Sequence, residues 1–123
     1  MSVPGPLRPV SDVFVFVPDL AAAVTWYAEL LGSPPVDVHP QLSVFDVGGT
    51  SLTLHLEDEF NRSSGTAGPV AYWTVEDVDA VAAWCTARGA VAHRGPKTVF
   101  GGQRLCQLLD PFGNLLGLRQ PPS

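Results

Sequence analysis

The chain has 123 residues, 46% of them hydrophobic and 15% charged, a size and balance that suit one globular domain with a real core. Its formal net charge of −5, with Lys97 the only lysine and six scattered arginines, speaks against a nucleic-acid partner. Such a partner needs a basic patch to displace phosphate counterions.

Residues 1–10, MSVPGPLRPV, read as a loose N-terminal arm, without the apolar core of a signal peptide. The run Val13-Phe14-Val15-Phe16-Val17 is β-branched and aromatic throughout, as in a buried strand. Asp19 is placed to cap a helix on which Leu20, Val24, Tyr27 and Leu31 recur at helical spacing before Gly32 closes it. A short edge strand is predicted at Val36–Val38 after Pro34-Pro35, then a strand over Gln41–Val47 and a Gly48-Gly49 hairpin turn. The next stretch, Ser51–Glu57, alternates cleanly. Leu52, Leu54 and Leu56 take one face, and Ser51, Thr53, His55 and Glu57 take the other.

Residues 58–69 are polar and rich in Gly and Ser, a linker. Beyond it the first unit recurs 58 residues on: Val17, Asp19, Leu20 and Trp26 meet Val75, Asp77, Val78 and Trp84. The second copy is predicted as strand Val70–Val75, helix Asp77–Arg88, a short strand Val91–His93, strand Arg104–Leu109 and strand Leu115–Arg119. The stretch between His93 and Arg104, with Gly101-Gly102, reads as a loop able to flex over a site. Asp110-Pro111-Phe112-Gly113-Asn114 is a strong chain-reversal signal, and residues 120–123 are a tail. The expected fold is therefore α+β, with βαβββ modules at 11–57 and 70–119. Cys85 and Cys106 have no motif spacing, so free buried thiols in a reducing cytoplasm are expected, with a disulfide as the alternative.

In the motifs Val17-Pro18-Asp19-Leu20, Trp26-Tyr27 followed by Leu31-Gly32, Val75-Glu76-Asp77-Val78 and Asp110–Asn114, the chain resembles the vicinal oxygen chelate superfamily. That group includes glyoxalase I, extradiol dioxygenases, and fosfomycin- and bleomycin-resistance proteins. The resemblance implies two modules curling into a mixed sheet, a ligand in its concavity, helices on the convex face, and pairing with a second chain as a homodimer. It also implies four metal-ligand positions, on the first and last strands of each module. Carried over, these fall on Asp12, Val70, Gly117 and either Thr53 or His55. Val70 and Gly117 cannot bind a metal, whereas a catalytic metal normally takes three protein ligands.

What the residues then support is an aromatic-lined cavity with ligand-binding candidates Phe14, Phe16, Thr53, His55 and Tyr72. The leading expectation is a metal-free, cofactor-free small-molecule binder of the antibiotic-resistance type. Its ligand would be small, aromatic or polycyclic, and cationic or neutral to suit the acidic chain. The alternative is an enzyme, a lyase, isomerase or dioxygenase. One form holds a divalent ion on Asp12, His55 and Glu57, and another uses Asp12 and His55 as acid–base catalytic residues. A third reading gives the fold a pairing or regulatory role with no small ligand. A bacterial, cytoplasmic protein without membrane association is expected, the richness in Ala, Gly, Pro and Arg over Lys being the genomic hint.

Overall fold

The computed structural model describes residues 5–123. The expected arm at 1–10 lies partly outside the described residues, and residues 5–11 carry no helix or strand. The first module comprises β1 (Asp12–Val17), α1 (Leu20–Leu31), β2 (Asp37–Val38), β3 (Leu42–Val47) and β4 (Thr50–Leu56). The second comprises β5 (Tyr72–Thr74), α2 (Val78–Ala87), β6 (Val91–Thr98), β7 (Arg104–Leu109) and β8 (Leu115–Gln120), with a 3-10 turn at Phe100–Gly102. Each module is βαβββ, as the repeat predicts. The strands hydrogen-bond as two four-stranded mixed sheets, β1-β4-β3-β2 and β5-β8-β7-β6.

Local chemistry fixes both helices. Asp19 lies in extended backbone and accepts from the Ala22 N–H at 3.1 Å, while Gly32 ends α1 at φ 69° and donates to the Ala28 carbonyl. Asp77 repeats the cap on Ala80, and a second free donor, the Val78 N–H, reaches the Gln120 side chain at 2.9 Å.

One hydrophobic core joins the modules on the helix side of both sheets. Val17, Phe45, Leu52 and Leu54 of the first pack with Val78, Cys85, Cys106, Leu108 and Leu118 of the second. Trp26 and Trp84 meet edge to face at 6.2 Å, and the Trp26 indole N–H donates to the Arg88 carbonyl. Tyr27 donates to the buried Asp110 carboxylate at 2.5 Å, and the same carboxylate accepts from the Phe112 and Asn114 N–H groups at 2.9 Å. The Asp-Pro-Phe-Gly-Asn turn is thus structural, as expected. Asn114 also donates to the Phe16 carbonyl and accepts from the Ser64 N–H, tying turn, linker and first strand together.

Two predicted elements differ. The fifth strand begins at Tyr72, so Val70 stands outside the ladder. The sixth continues through Gly95-Pro96 to Thr98, where the sequence reads as loop. It can do so because it is an edge strand with two bulges, which tolerate a proline lacking an N–H donor. Cys106, whose side the sequence leaves open, is buried on the helix side with Cys85. Both thiols are free.

Candidate functional site

The face of the first sheet opposite the helices is built by strand period. Phe14 pairs with Thr53 and Phe16 with His55 across the parallel β1–β4 ladder, so all four side chains share one side. The rings of Phe14, Phe16 and His55 form a cluster, with centroids 6.4 Å (Phe14–Phe16), 6.4 Å (Phe14–His55) and 5.5 Å (Phe16–His55) apart. Phe14 is 53% exposed, a large apolar side chain left about half open among the described residues. Thr53, expected as a polar handle, is instead 3% exposed beneath its cross-strand neighbours Phe14 and Val44. The His55 Nδ1 lies 2.7 Å from the Leu56 carbonyl oxygen. A carbonyl can only accept, so Nδ1 carries a proton, and in the neutral form of the ring the lone pair lies on Nε2.

Tyr72, the fifth candidate, belongs to the second sheet. It lines cavities of about 250 and 560 Å³, and neither includes Phe14, Phe16, Thr53 or His55. The expected five-residue cluster is therefore four residues on one sheet and one on the other. The larger of the two lies between Val13 and Thr50 of the first module and the unpaired edge of β5.

The Asp12, His55 and Glu57 alternative is not assembled. Asp12 pairs with Ser51 while His55 pairs with Phe16, four residues further along. That is about 13 Å along the strand direction at the usual rise, too far for two short side chains standing upright on a sheet to share one ion. Asp12 accepts from Ser11 Oγ, and Glu57 accepts from the Ser63 N–H at 2.7 Å and its hydroxyl at 2.9 Å. Those bonds, the backbone N–H foremost, hold the Glu57 carboxyl below its ordinary pKa. It fastens the linker.

At the last-strand position of the second module, a Cβ on Gly117 would lie 2.6 Å from the Ala71 carbonyl oxygen and 2.8 Å from a Tyr72 ring carbon. The tyrosine ring fills the place where the family's carboxylate is expected. Among the described residues no three His, Cys, Asp or Glu side chains gather to hold an ion. The residues present do not fit the metal centre that the resemblance implies.

Sequence reasoning missed two features. A cavity of about 510 Å³ opens on the helix side, between Leu30 and Leu31 of α1, Val81 and Trp84 of α2, and Trp73. Its lining is mainly apolar, and the Tyr27 hydroxyl there is committed to Asp110. The other is the 250 Å³ cleft, which holds Arg94 and Lys97 beside Tyr72 and Gln107. Its only sequence signal is the lone lysine three residues after an arginine, across Gly95-Pro96.

Paired βαβββ modules with helices on one side and aromatic rings on the other define an α+β class that hosts both binders and enzymes. The chain belongs to the Glyoxalase/Bleomycin resistance protein/Dioxygenase superfamily, whose model matches residues 10–118. It is similar to a glyoxalase/bleomycin resistance protein from Catenulispora acidiphila, at 30% identity and TM-score 0.68, covering 92% of this chain and 98% of that one. It is also similar to a glyoxalase/bleomycin resistance protein from Albidiferax ferrireducens, at 21% identity and TM-score 0.78, covering 94% and 100%. A third similar structure is a lactoylglutathione lyase from Agrobacterium tumefaciens, at 19% identity and TM-score 0.71, covering 94% and 96%. No curated protein sequence matches.

Proposed function

We propose that the protein is a metal-independent small-molecule binder of this superfamily, of the sequestration or resistance type. A planar aromatic or polycyclic ligand stacks on Phe14 and Phe16, and His55 Nε2 accepts a hydrogen bond from it. The observation that carries this reading is the three-ring cluster, in which Phe14 is exposed, Phe16 and His55 are half-buried, and His55 Nε2 has no hydrogen-bond partner among the described residues. The helix-side cavity is mainly apolar, and of its polar lining groups the Tyr27 hydroxyl is bonded to Asp110 and the Glu29 carboxylate lies 3.9 Å from Arg88. A sheet face encloses a ligand on one side only, so a second wall is required, and a second copy of the chain is the expected one. The two unbridged buried thiols suit a reducing compartment such as the bacterial cytoplasm.

The test is a fluorescence titration of 2-naphthol and acridine with the wild-type protein, Phe14→Ala and Phe16→Ala. Saturable binding that weakens by about tenfold or more in either variant is expected. Binding indifferent to both substitutions would sink the proposal.

A second reading is favoured by the His55 tautomer, because a neutral imidazole with a free Nε2 is equipped as a general base. Its positioning partner is the Leu56 carbonyl rather than Asp12. Once a reaction is found, unchanged turnover in His55→Gln removes this reading.

A further inference from the structure

The edge strand β6 carries a device that neither the family nor the proposed aromatic site explains. Side chains three residues apart on a regular strand point to opposite faces. Arg94 and Lys97 do not follow that rule. Arg94 pairs with Gln107 and Lys97 with Leu105, so three steps on β6 match two on β7, and the extra residue is a bulge at Gly95-Pro96. Gln107 and Leu105 alternate with the buried Cys106 and Leu108, which places them on the face away from the helices. The bulge therefore brings both cations to that one face. Only glycine fits at its centre, since a Cβ on Gly95 would lie 2.5 Å from the Leu105 carbonyl oxygen.

The cations meet a prepared donor. Gln107 Nε2 donates to the Tyr72 hydroxyl at 2.6 Å, so the phenol oxygen is engaged as acceptor and its own O–H is left to donate outward. Arg94, Lys97 and Tyr72 all line the 250 Å³ cleft. Among the described residues, neither Arg94 nor Lys97 has a carboxylate within ion-pair distance, although acidic residues outnumber basic ones by 12 to 7. Guanidinium, ammonium and phenol thus converge with no acidic side chain among the cleft's lining residues.

We propose that this cleft is a binding site for the carboxylate of a small organic acid, with Leu105 and the Tyr72 ring packing its apolar part. The local charge reverses the preference for cationic or neutral ligands that the net charge alone predicts. The cleft shares no lining residue with the aromatic cluster on the first sheet, and its variants leave Phe14, Phe16 and His55 untouched.

The experiment is an amide-resolved NMR titration of the full chain with benzoate, inorganic phosphate and benzylamine, repeated on Arg94→Gln, Lys97→Gln and Tyr72→Phe. The spectra themselves report whether each variant is folded. Benzoate is expected to give saturable shifts around Arg94, Lys97 and Gln107. Its affinity should fall about tenfold in each cation variant and severalfold in Tyr72→Phe. Benzylamine should leave these amides unmoved. Absence of saturation by about 50 mM benzoate, or benzoate binding undiminished in the Arg94→Gln/Lys97→Gln double variant, overturns the site. Tighter binding of inorganic phosphate than of benzoate overturns the carboxylate assignment.

Discussion

Gly117→Ala tests whether the second module's last-strand position is closed to side chains. The new Cβ would meet the Ala71 carbonyl oxygen at 2.6 Å and Tyr72 ring carbons at 2.8 and 3.0 Å. The ring can swing away, but the carbonyl is held, because it accepts the Gly117 N–H at 3.1 Å beside the β5–β8 ladder. Overpacking of this kind costs about 1–3 kcal/mol. Alanine returns about 0.5–1 kcal/mol by narrowing the unfolded ensemble, since Gly117 is not among the positive-φ glycines. Because the new Cβ would sit 2.6 Å from a held backbone oxygen, the overpacking falls in the upper part of its range, about 2–3 kcal/mol, so the net loss is about 1–2.5 kcal/mol, or a urea midpoint lower by about 0.5–1.3 M. Adding Tyr72→Ala removes the ring contacts but not the carbonyl contact, so Gly117→Ala should still destabilise that background. A Gly117→Ala protein with wild-type stability refutes the claim that the position is closed.

Other outcomes follow from the same geometry. Tyr27→Phe leaves Asp110, 3% exposed, one donor short, a loss of about 1–3 kcal/mol in denaturant unfolding. Burial raises the folded Asp110 pKa, so its contribution favours the native state below the ordinary carboxyl range and is lost as pH rises through the raised value. The Tyr27 bond offsets that rise; the Tyr27→Phe deficit should therefore shrink on acidification, and a pH-independent deficit contradicts the assignment. Burial pushes the Cys85 thiol up to about 11 and raises Cys106 as well, so neither should react with a thiol reagent until the protein unfolds. Mass spectrometry of the labelled native protein checks this. Phe14→Ala removes a half-exposed ring and should cost less than about 1 kcal/mol in stability while weakening 2-naphthol binding.

What the sequence revealed was local. Asp19 and Asp77 announce their helices because a cap needs only the next turn, and α2 opens at Val78, 58 residues after α1 opens at Leu20. The alternation over 51–57 separates Leu52 and Leu54 from His55 because strand period is a property of the backbone. Burial of Thr53 was illegible, since it depends on Phe14 and Val44 from other strands. The Tyr27–Asp110 bond spans 83 residues and leaves no mark in either local stretch. Gly95-Pro96 reads as a break because proline is rare in strands, and an edge position with bulges reverses that inference. Strand parity groups Tyr72 with Phe14, but parity says which face a residue takes and not which sheet lies beside it.

The central claim is that the site works without a metal. Its most direct test is elemental analysis of the untagged protein after incubation with Mn, Fe, Ni, Co and Zn followed by desalting, with Asp12→Ala and His55→Ala alongside. The account predicts far less than one ion per chain in all three proteins. About one ion per wild-type chain, lost in both variants, contradicts it and makes this chain a divergent metalloenzyme.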